Sequence, residues 1–184
     1  PVQSGSNKIL QKMNRKHSIE EYLRVVEKVK KAKPNIEFSS DFIIGYPGET
    51  YDDFQKTIDL MNKVKFINSY SFIYSARPGT PAYNMTNTDQ SDAKKRLMDF
   101  QKTAEKIKTK YRNNLVNKMS IVLFENKTNS ENKYFGRDEY FNSVIVKSET
   151  NLIGKIKNVK VLEINQNTLF GEVVSNINQK NYAA

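Results

Sequence analysis

Phe38-Ser-Ser-Asp-Phe-Ile-Ile-Gly-Tyr-Pro-Gly-Glu-Thr50 is the stretch that decides how this chain folds. An apolar run ends in Gly45, passes through Pro47-Gly48 and reaches Thr50, three residues before Asp53. Pro-Gly sets a turn, and Thr-x-x-Asp reads as a helix N-cap with an acidic partner in the first turn. The order is strand, tight loop, helix, the repeating unit of an α/β protein. Ligands of such folds sit beyond the carboxyl ends of the strands, where this loop lies.

Two further loops have the same character. The chain opens Pro1-Val-Gln-Ser-Gly-Ser6, followed by Ile9, Leu10 and Met13 at helical spacing. Tyr70-Ser-Phe-Ile-Tyr-Ser75 alternates like a strand and breaks at Ala76-Arg-Pro-Gly-Thr-Pro-Ala82. All three loops are rich in Gly, Ser, Thr and Pro. One parallel sheet is expected to bring them to the same rim, where they expose backbone donors and small hydroxyls.

At 184 residues the chain has room for one medium domain or one and a half smaller ones. No apolar run approaches the length of a membrane span, and no charged-then-apolar leader opens the chain. The composition holds no cysteine, which excludes disulfides and thiolate metal ligands. A soluble cytoplasmic protein without a membrane partner is the expectation.

Charge is unevenly spread. Residues 1–33 hold nine basic and three acidic side chains, and residues 94–118 hold nine and two. Between them, residues 34–93 carry a net −4. Two basic helical stretches suit a polyanion such as RNA, although Lys-rich helix faces are also ordinary solvated surface. Ser18 and Glu21 predict a capping box, with Tyr22, Val25, Val26 and Val29 as the apolar stripe behind it. After Thr50, Phe54, Ile58 and Met61 share a helix face. A third helix is predicted from near Asp89, with Leu97, Phe100, Ala104, Ile107, Tyr111 and Leu115 as its stripe. Its other face carries Lys94, Lys95, Arg96, Lys102, Lys106, Lys108, Lys110 and Arg112. The lone His17 precedes the Ser18 cap and is assigned no chemistry.

After about Asn114 the period changes from 3.6 to 2. Strands are predicted at Ser120–Glu125, around Tyr134–Arg137, at Ser143–Lys147, at Lys155–Leu162 and at Leu169–Val174. Five short strands in so few residues predict a small closed barrel. Tyr134, Tyr140 and Phe141 are candidates for stacking on bases, or for packing in the core.

Taken together, the loops resemble those of the radical S-adenosylmethionine methylthiotransferases. That family shows a PVQSGS loop followed by Met-x-Arg, then SSDFI and GFPGET, then YSF and SxRPGTPA. Here Pro1–Ser6, Met13-Asn14-Arg15, Ser39–Thr50 and Tyr70–Ala82 stand in matching order, with Tyr46 in place of the usual Phe. The resemblance covers nearly the whole chain and is nearest to the branch acting on dimethylallyl-adenosine beside the tRNA anticodon. It implies the second half of a TIM-like radical barrel over residues 1–113. An OB-like, RNA-binding TRAM barrel would follow over residues 114–178, and a tail over 179–184. Gly136-Arg137 and Ile153-Gly154-Lys155 match recurring points of that barrel, whereas Phe141-Asn142 stand where Asn-Arg is frequent.

The resemblance also implies cofactors, partners and sites. The cofactors are S-adenosylmethionine and two 4Fe-4S clusters, whose cysteine ligands the family carries upstream of the PVQSGS loop. The chain therefore reads as the C-terminal part of a longer, monomeric enzyme, inactive alone, with tRNA as partner. Neither the sulfur donor nor the electron donor is named by these residues. Gln3, Ser4, Ser6 and Arg15 are candidates for the methionyl end, and Ser40 and Asp41 for the ribose hydroxyls. Ile44, Gly45, Tyr46 and Ser75 are candidates for the adenine. Each also has an architectural reading as cap, turn or backbone partner. Arg77, Lys106, Lys108, Lys110, Arg137 and Lys155 are the candidate substrate and RNA contacts, and no residue is expected to be catalytic or to bind metal.

Three rival readings stand beside this one. They are the sibling acting on threonylcarbamoyl-adenosine in tRNA, the sibling acting on a ribosomal protein, and a non-enzymatic RNA-binding protein. The last leaves the three rim loops unexplained.

Overall fold

The computed structural model describes residues 1–174 and divides into two compact units, Pro1–Lys108 and Thr109 onward. The expected tail at 179–184, and the last residues of the expected second domain, lie outside the described residues.

In the first unit, helices α1 (Asn7–Lys12), α2 (Ile19–Ala32), α3 (Tyr51–Val64) and the start of α4 (Gln90–Asn113) accompany strands β1 (Ser39–Ile44) and β2 (Asn68–Ile73). Both predicted capping boxes form. Ser18 Oγ accepts from the Glu21 N–H, and the Glu21 carboxylate accepts from the Ser18 N–H. Thr50 and Asp53 exchange the same pair of bonds at the start of α3. Each box satisfies N–H groups that a helix start leaves without a partner.

β1 and β2 pair in parallel, with Ser39 opposite Asn68 through Ile44 opposite Ile73. On the other edge of β1, Gln3 forms a parallel bridge to Phe42. The three chain segments therefore run the same way, and the loops that leave them share one rim. Phe42 and Ile44 turn into a core with Phe54, Met61, Phe66 and Phe100. The Phe42 ring meets Phe100 at 4.8 Å and Phe66 edge-on at 5.4 Å. Burial of each such ring stabilises by about 1.5–3 kcal/mol. Leu97, Ala104 and Ile107 of α4 pack on this core, as their spacing predicts.

The second unit is a closed barrel of five strands, β3 (Met119–Lys127), β4 (Lys133–Asp138), β5 (Ser143–Lys147), β6 (Ile156–Ile164) and β7 (Thr168–Val173). The order round the barrel is β3-β4-β5-β7-β6, with β5 and β7 parallel and the other pairs antiparallel. Closure removes the sheet edges that a short-stranded sheet would otherwise expose. Val122, Phe124, Val144, Val146, Val161 and Leu169 fill the interior. Tyr134 joins them and is buried, so it is no stacking platform. Leu115, predicted to continue the α4 stripe, packs on this second core instead. No helix among the described residues is long and apolar enough to cross a membrane.

Candidate cofactor site and nucleic-acid interface

The three rim loops meet in a small apolar cluster. Ile9 of α1, the helix that the first loop leads into, is buried with Tyr46 from the second loop and Ala82 from the third, flanked by Met13, Ile43 and Tyr74. The Tyr46 ring stands edge-on to Tyr74 at 5.0 Å, and its hydroxyl donates to the Lys12 carbonyl at 3.0 Å. Burial raises the Tyr46 phenol above its ordinary pKa, and Tyr74 adds to the rise.

The first loop is pinned to α3 by its small residues. The Gly5 N–H donates to Thr57 Oγ1 at 2.9 Å, and a Cβ on Gly5 would lie 2.3 Å from the Lys56 carbonyl oxygen. Only glycine permits that approach. Ser6 Oγ donates to Asp53 Oδ1 at 2.7 Å, and Lys8 Nζ lies 2.8 Å from Asp53 Oδ2. Burial alone would raise the Asp53 carboxyl. The hydrogen bonds from Lys8, Ser6 and Thr50 outweigh it and hold the group well below the carboxylate range.

The second loop turns at Gly45, whose φ is 71°. Its N–H donates to Glu49 Oε2 at 2.9 Å, and the same oxygen receives Arg96 Nη1 at 2.9 Å. Glu49 is buried, and its Oε1 is enclosed without a hydrogen-bond partner. Desolvation raises its pKa against the pull of Arg96 and the Gly45 N–H. Glu49 and Asp53 were not singled out as site residues by sequence. The Gly-Glu-Thr that ends the quoted stretch was the available signal.

The predicted cofactor residues fall into two groups. Ser4, Ser6, Ser40 and Ile44 are buried behind the rim. Ser4 Oγ lies 3.4 Å from Thr57 Oγ1, Ser40 Oγ accepts from the Val2 N–H at 2.9 Å, and Ile44 belongs to the core. Asp41 lies on the opposite face of β1 from Phe42, half-buried, while Arg15 and Ser75 are exposed. Gln3, also buried, sits at the sheet edge with φ 73°, an uncommon conformation for a residue with a side chain. Register places Asp41 beside Tyr70 and Ile43 beside Phe72, and both aromatics are exposed. The sheet thus offers an open face carrying one carboxylate, one aliphatic and two aromatic side chains next to the rim. Arg77 is exposed in the third loop, where its carbonyl accepts from Thr80 Oγ1 at 2.8 Å.

Among the predicted RNA contacts, Lys106, Lys110, Arg137 and Lys155 are exposed and Lys108 is half-buried. Arg137 lies 3.4 Å from Glu125 and 5.4 Å over the Phe135 ring. Two arginines read as part of the exposed basic helix face are turned inward. Arg96 clasps Glu49, and Arg112 is buried and donates to the Gln166 carbonyl. An arginine fork satisfies buried carbonyls better than lysine does. Among the described residues no group of three or more His, Cys, Asp or Glu is placed to hold a metal ion.

Known proteins match both halves. The Radical SAM superfamily model matches residues 1–61, and the TRAM domain model matches residues 115–174. A curated tRNA-2-methylthio-N(6)-dimethylallyladenosine synthase of Pelagibacter ubique (strain HTCC1062) is 53% identical over 98% of this chain and 40% of its own length. Proteins of the same name from Wolbachia pipientis wMel and Ehrlichia canis (strain Jake) are 47% and 40% identical, over 93% and 94% of this chain. The chain spans about two fifths of the length of these curated relatives. The chain is thus similar to the Radical SAM superfamily over its first 61 residues, to the TRAM domain over residues 115–174, and along nearly its whole length to part of proteins named tRNA-2-methylthio-N(6)-dimethylallyladenosine synthase.

Proposed function

We propose that this chain supplies one wall of the S-adenosylmethionine site and the RNA-docking barrel of an enzyme that methylthiolates dimethylallyl-adenosine in tRNA. The observation that carries this reading is the convergence of three Gly- and Ser-rich loops on one rim of a parallel sheet, in a chain whose relatives bear that activity in their names. In this reading residues 1–113 are the second half of a radical SAM barrel and residues 114–178 the RNA-binding barrel. The protein acts in the cytoplasm as a monomer.

The open face suits the cofactor. Asp41 would accept from ribose hydroxyls, Arg15 would pair with the methionyl carboxylate, and Gln3 and Ser75 would donate at the rim. The adenine would lie by the Gly45–Tyr46 turn. Ser4, Ser6, Ser40 and Ile44 act from behind, holding those loops in place. Bound there, S-adenosylmethionine would supply the methyl group and the precursor of the radical. The iron–sulfur clusters are another matter. The chain has no cysteine, so it gives no thiolate to either cluster, and their ligands would come from residues outside these 184. Arg77, with Lys106, Lys108, Lys110, Arg137 and Lys155, would face the RNA.

Nucleoside mass spectrometry of tRNA tests the reading. Disrupting the gene within this segment should remove 2-methylthio-dimethylallyladenosine and leave its unthiolated precursor. Persistence of the methylthio nucleoside would overturn the reading.

A further inference from the structure

Phe141 occupies the turn that joins β4 to β5 with a backbone φ of 62° and 75% of its surface exposed. Both features work against folding. A bulky residue in the left-handed region is a steric outlier, and an exposed ring forgoes burial. Glycine would adopt the same backbone without strain.

The turn is nevertheless clamped. The Asp138 carboxylate accepts from the Tyr140 N–H at 2.9 Å, the Asn142 N–H at 2.8 Å and the Asn142 side-chain amide at 2.8 Å. The Phe141 N–H donates to the Asp138 carbonyl at 3.0 Å, and Asp138 and Asn142 are both buried. Tyr140 rests edge-on against Tyr111 at 6.3 Å. A strained residue persists where its surroundings over-determine it. Here they hold an aromatic ring outward on a rigid mount.

The surface beside it indicates the ligand. On the outer face of the β4–β5 hairpin, register sets Lys133 beside Lys147, Phe135 beside Ile145 and Arg137 beside Ser143. Along β4 one aromatic ring, Phe135, therefore alternates with the cations Lys133 and Arg137, and Arg137 lies over that ring. That alternation matches a strand of nucleic acid, whose phosphates seek cations and whose unpaired bases seek ring faces. We infer that Phe141 is a stacking finger for an unpaired RNA base. The inference rests on the RNA-docking reading of the barrel and adds to it the residue and the kind of contact.

Filter binding by the complete chain tests it, using an RNA hairpin with an unpaired loop and a fully paired RNA duplex of equal phosphate number. Phe141→Ala should weaken binding to the hairpin about fivefold or more, the effect of losing one base stack. Its salt dependence should not change, because every cation that faces a phosphate is still in place. Duplex binding should be unaffected, and Phe141→Tyr should retain the hairpin affinity. Phe141→Gly should lose affinity like the alanine variant while melting no lower than the unsubstituted chain, which separates a binding role from a folding one. Unchanged hairpin affinity in both the Ala and Gly variants, or an equal loss on hairpin and duplex, overturns the finger alone. Failure of the unsubstituted chain to bind either RNA overturns the docking reading and the finger with it.

Discussion

Arg96 donates from a single nitrogen, Nη1, to both the main-chain carbonyl and the carboxylate of Glu49, each at 2.9 Å. The carboxylate oxygen it reaches also accepts from the Gly45 N–H. One side chain on α4 thereby fixes the loop that follows β1, from its left-handed glycine to the cap of α3. Glu49 is buried and Arg96 is largely shielded, so the arrangement is stable only while it is complete.

Removing one member should therefore be costly. Arg96→Ala should destabilise the chain by about 3–5 kcal/mol, the usual effect of stranding one charge of a buried pair. Glu49→Gln, which keeps the shape and an acceptor for Gly45, should cost less. Urea unfolding of both variants reports the difference, and near-equal losses would mean that charge is not what holds the loop.

Asp53 should govern part of the acid stability. Its carboxyl ordinarily titrates near 3.8, and in the fold it sits lower because Lys8, Ser6 and Thr50 bind the charged form against the opposing effect of burial. The unfolded chain thus takes up the proton first. This contribution is fully present above the ordinary value and is lost as pH falls below it. Stability should begin to drop below roughly pH 5 and keep dropping through roughly pH 3, and Asp53→Asn should be less stable at neutral pH with a shallower drop. Denaturant titrations at several pH values would reveal an unchanged slope if the assignment were wrong.

Gly5→Ala should drive the first rim loop off α3. The added methyl would stand 2.3 Å from the Lys56 carbonyl oxygen and 2.5 Å from the Thr57 Cα, both main-chain atoms. A loss of about 1–3 kcal/mol is expected in thermal or urea unfolding, together with weakened S-adenosylmethionine binding.

Cofactor contact can be tested at the open face. Asp41→Ala and Arg15→Ala should each reduce S-adenosylmethionine affinity by about 1–3 kcal/mol in calorimetric titration of the enzyme that contains this chain. Equal affinities in the parent and both variants would assign the two residues to loop architecture.

Replacing Lys106 and Lys110 with Gln should weaken RNA binding and flatten its dependence on log salt. The slope should shrink by about 0.7–0.9 for every phosphate left without its lysine, since fewer counterions are released. Arg137→Ala should weaken binding as well. An unaltered slope in the lysine double variant would identify that helix face as solvated surface.

The capping boxes at Ser18 and Thr50, the apolar run of β1, the alternation of β2 and the five barrel strands were legible from sequence, because each depends on residues a few positions apart. Short-range hydrogen bonds and side-chain periodicity act within one element and leave their mark there. The destinations of Arg96, Ser6 and Tyr134 were not legible. Arg96 meets Glu49 and Ser6 meets Asp53 across 47 residues in each case, so their partners exist only once separate elements pack. Tyr134 and Phe135 are adjacent aromatics of one strand, yet only closure of the barrel turns the first inward and leaves the second beside Arg137. The sequence by itself determined which segments become helix, strand and turn. Tertiary structure decided which charges are buried and which rings stay outside, because burial is a property of the neighbours that packing supplies.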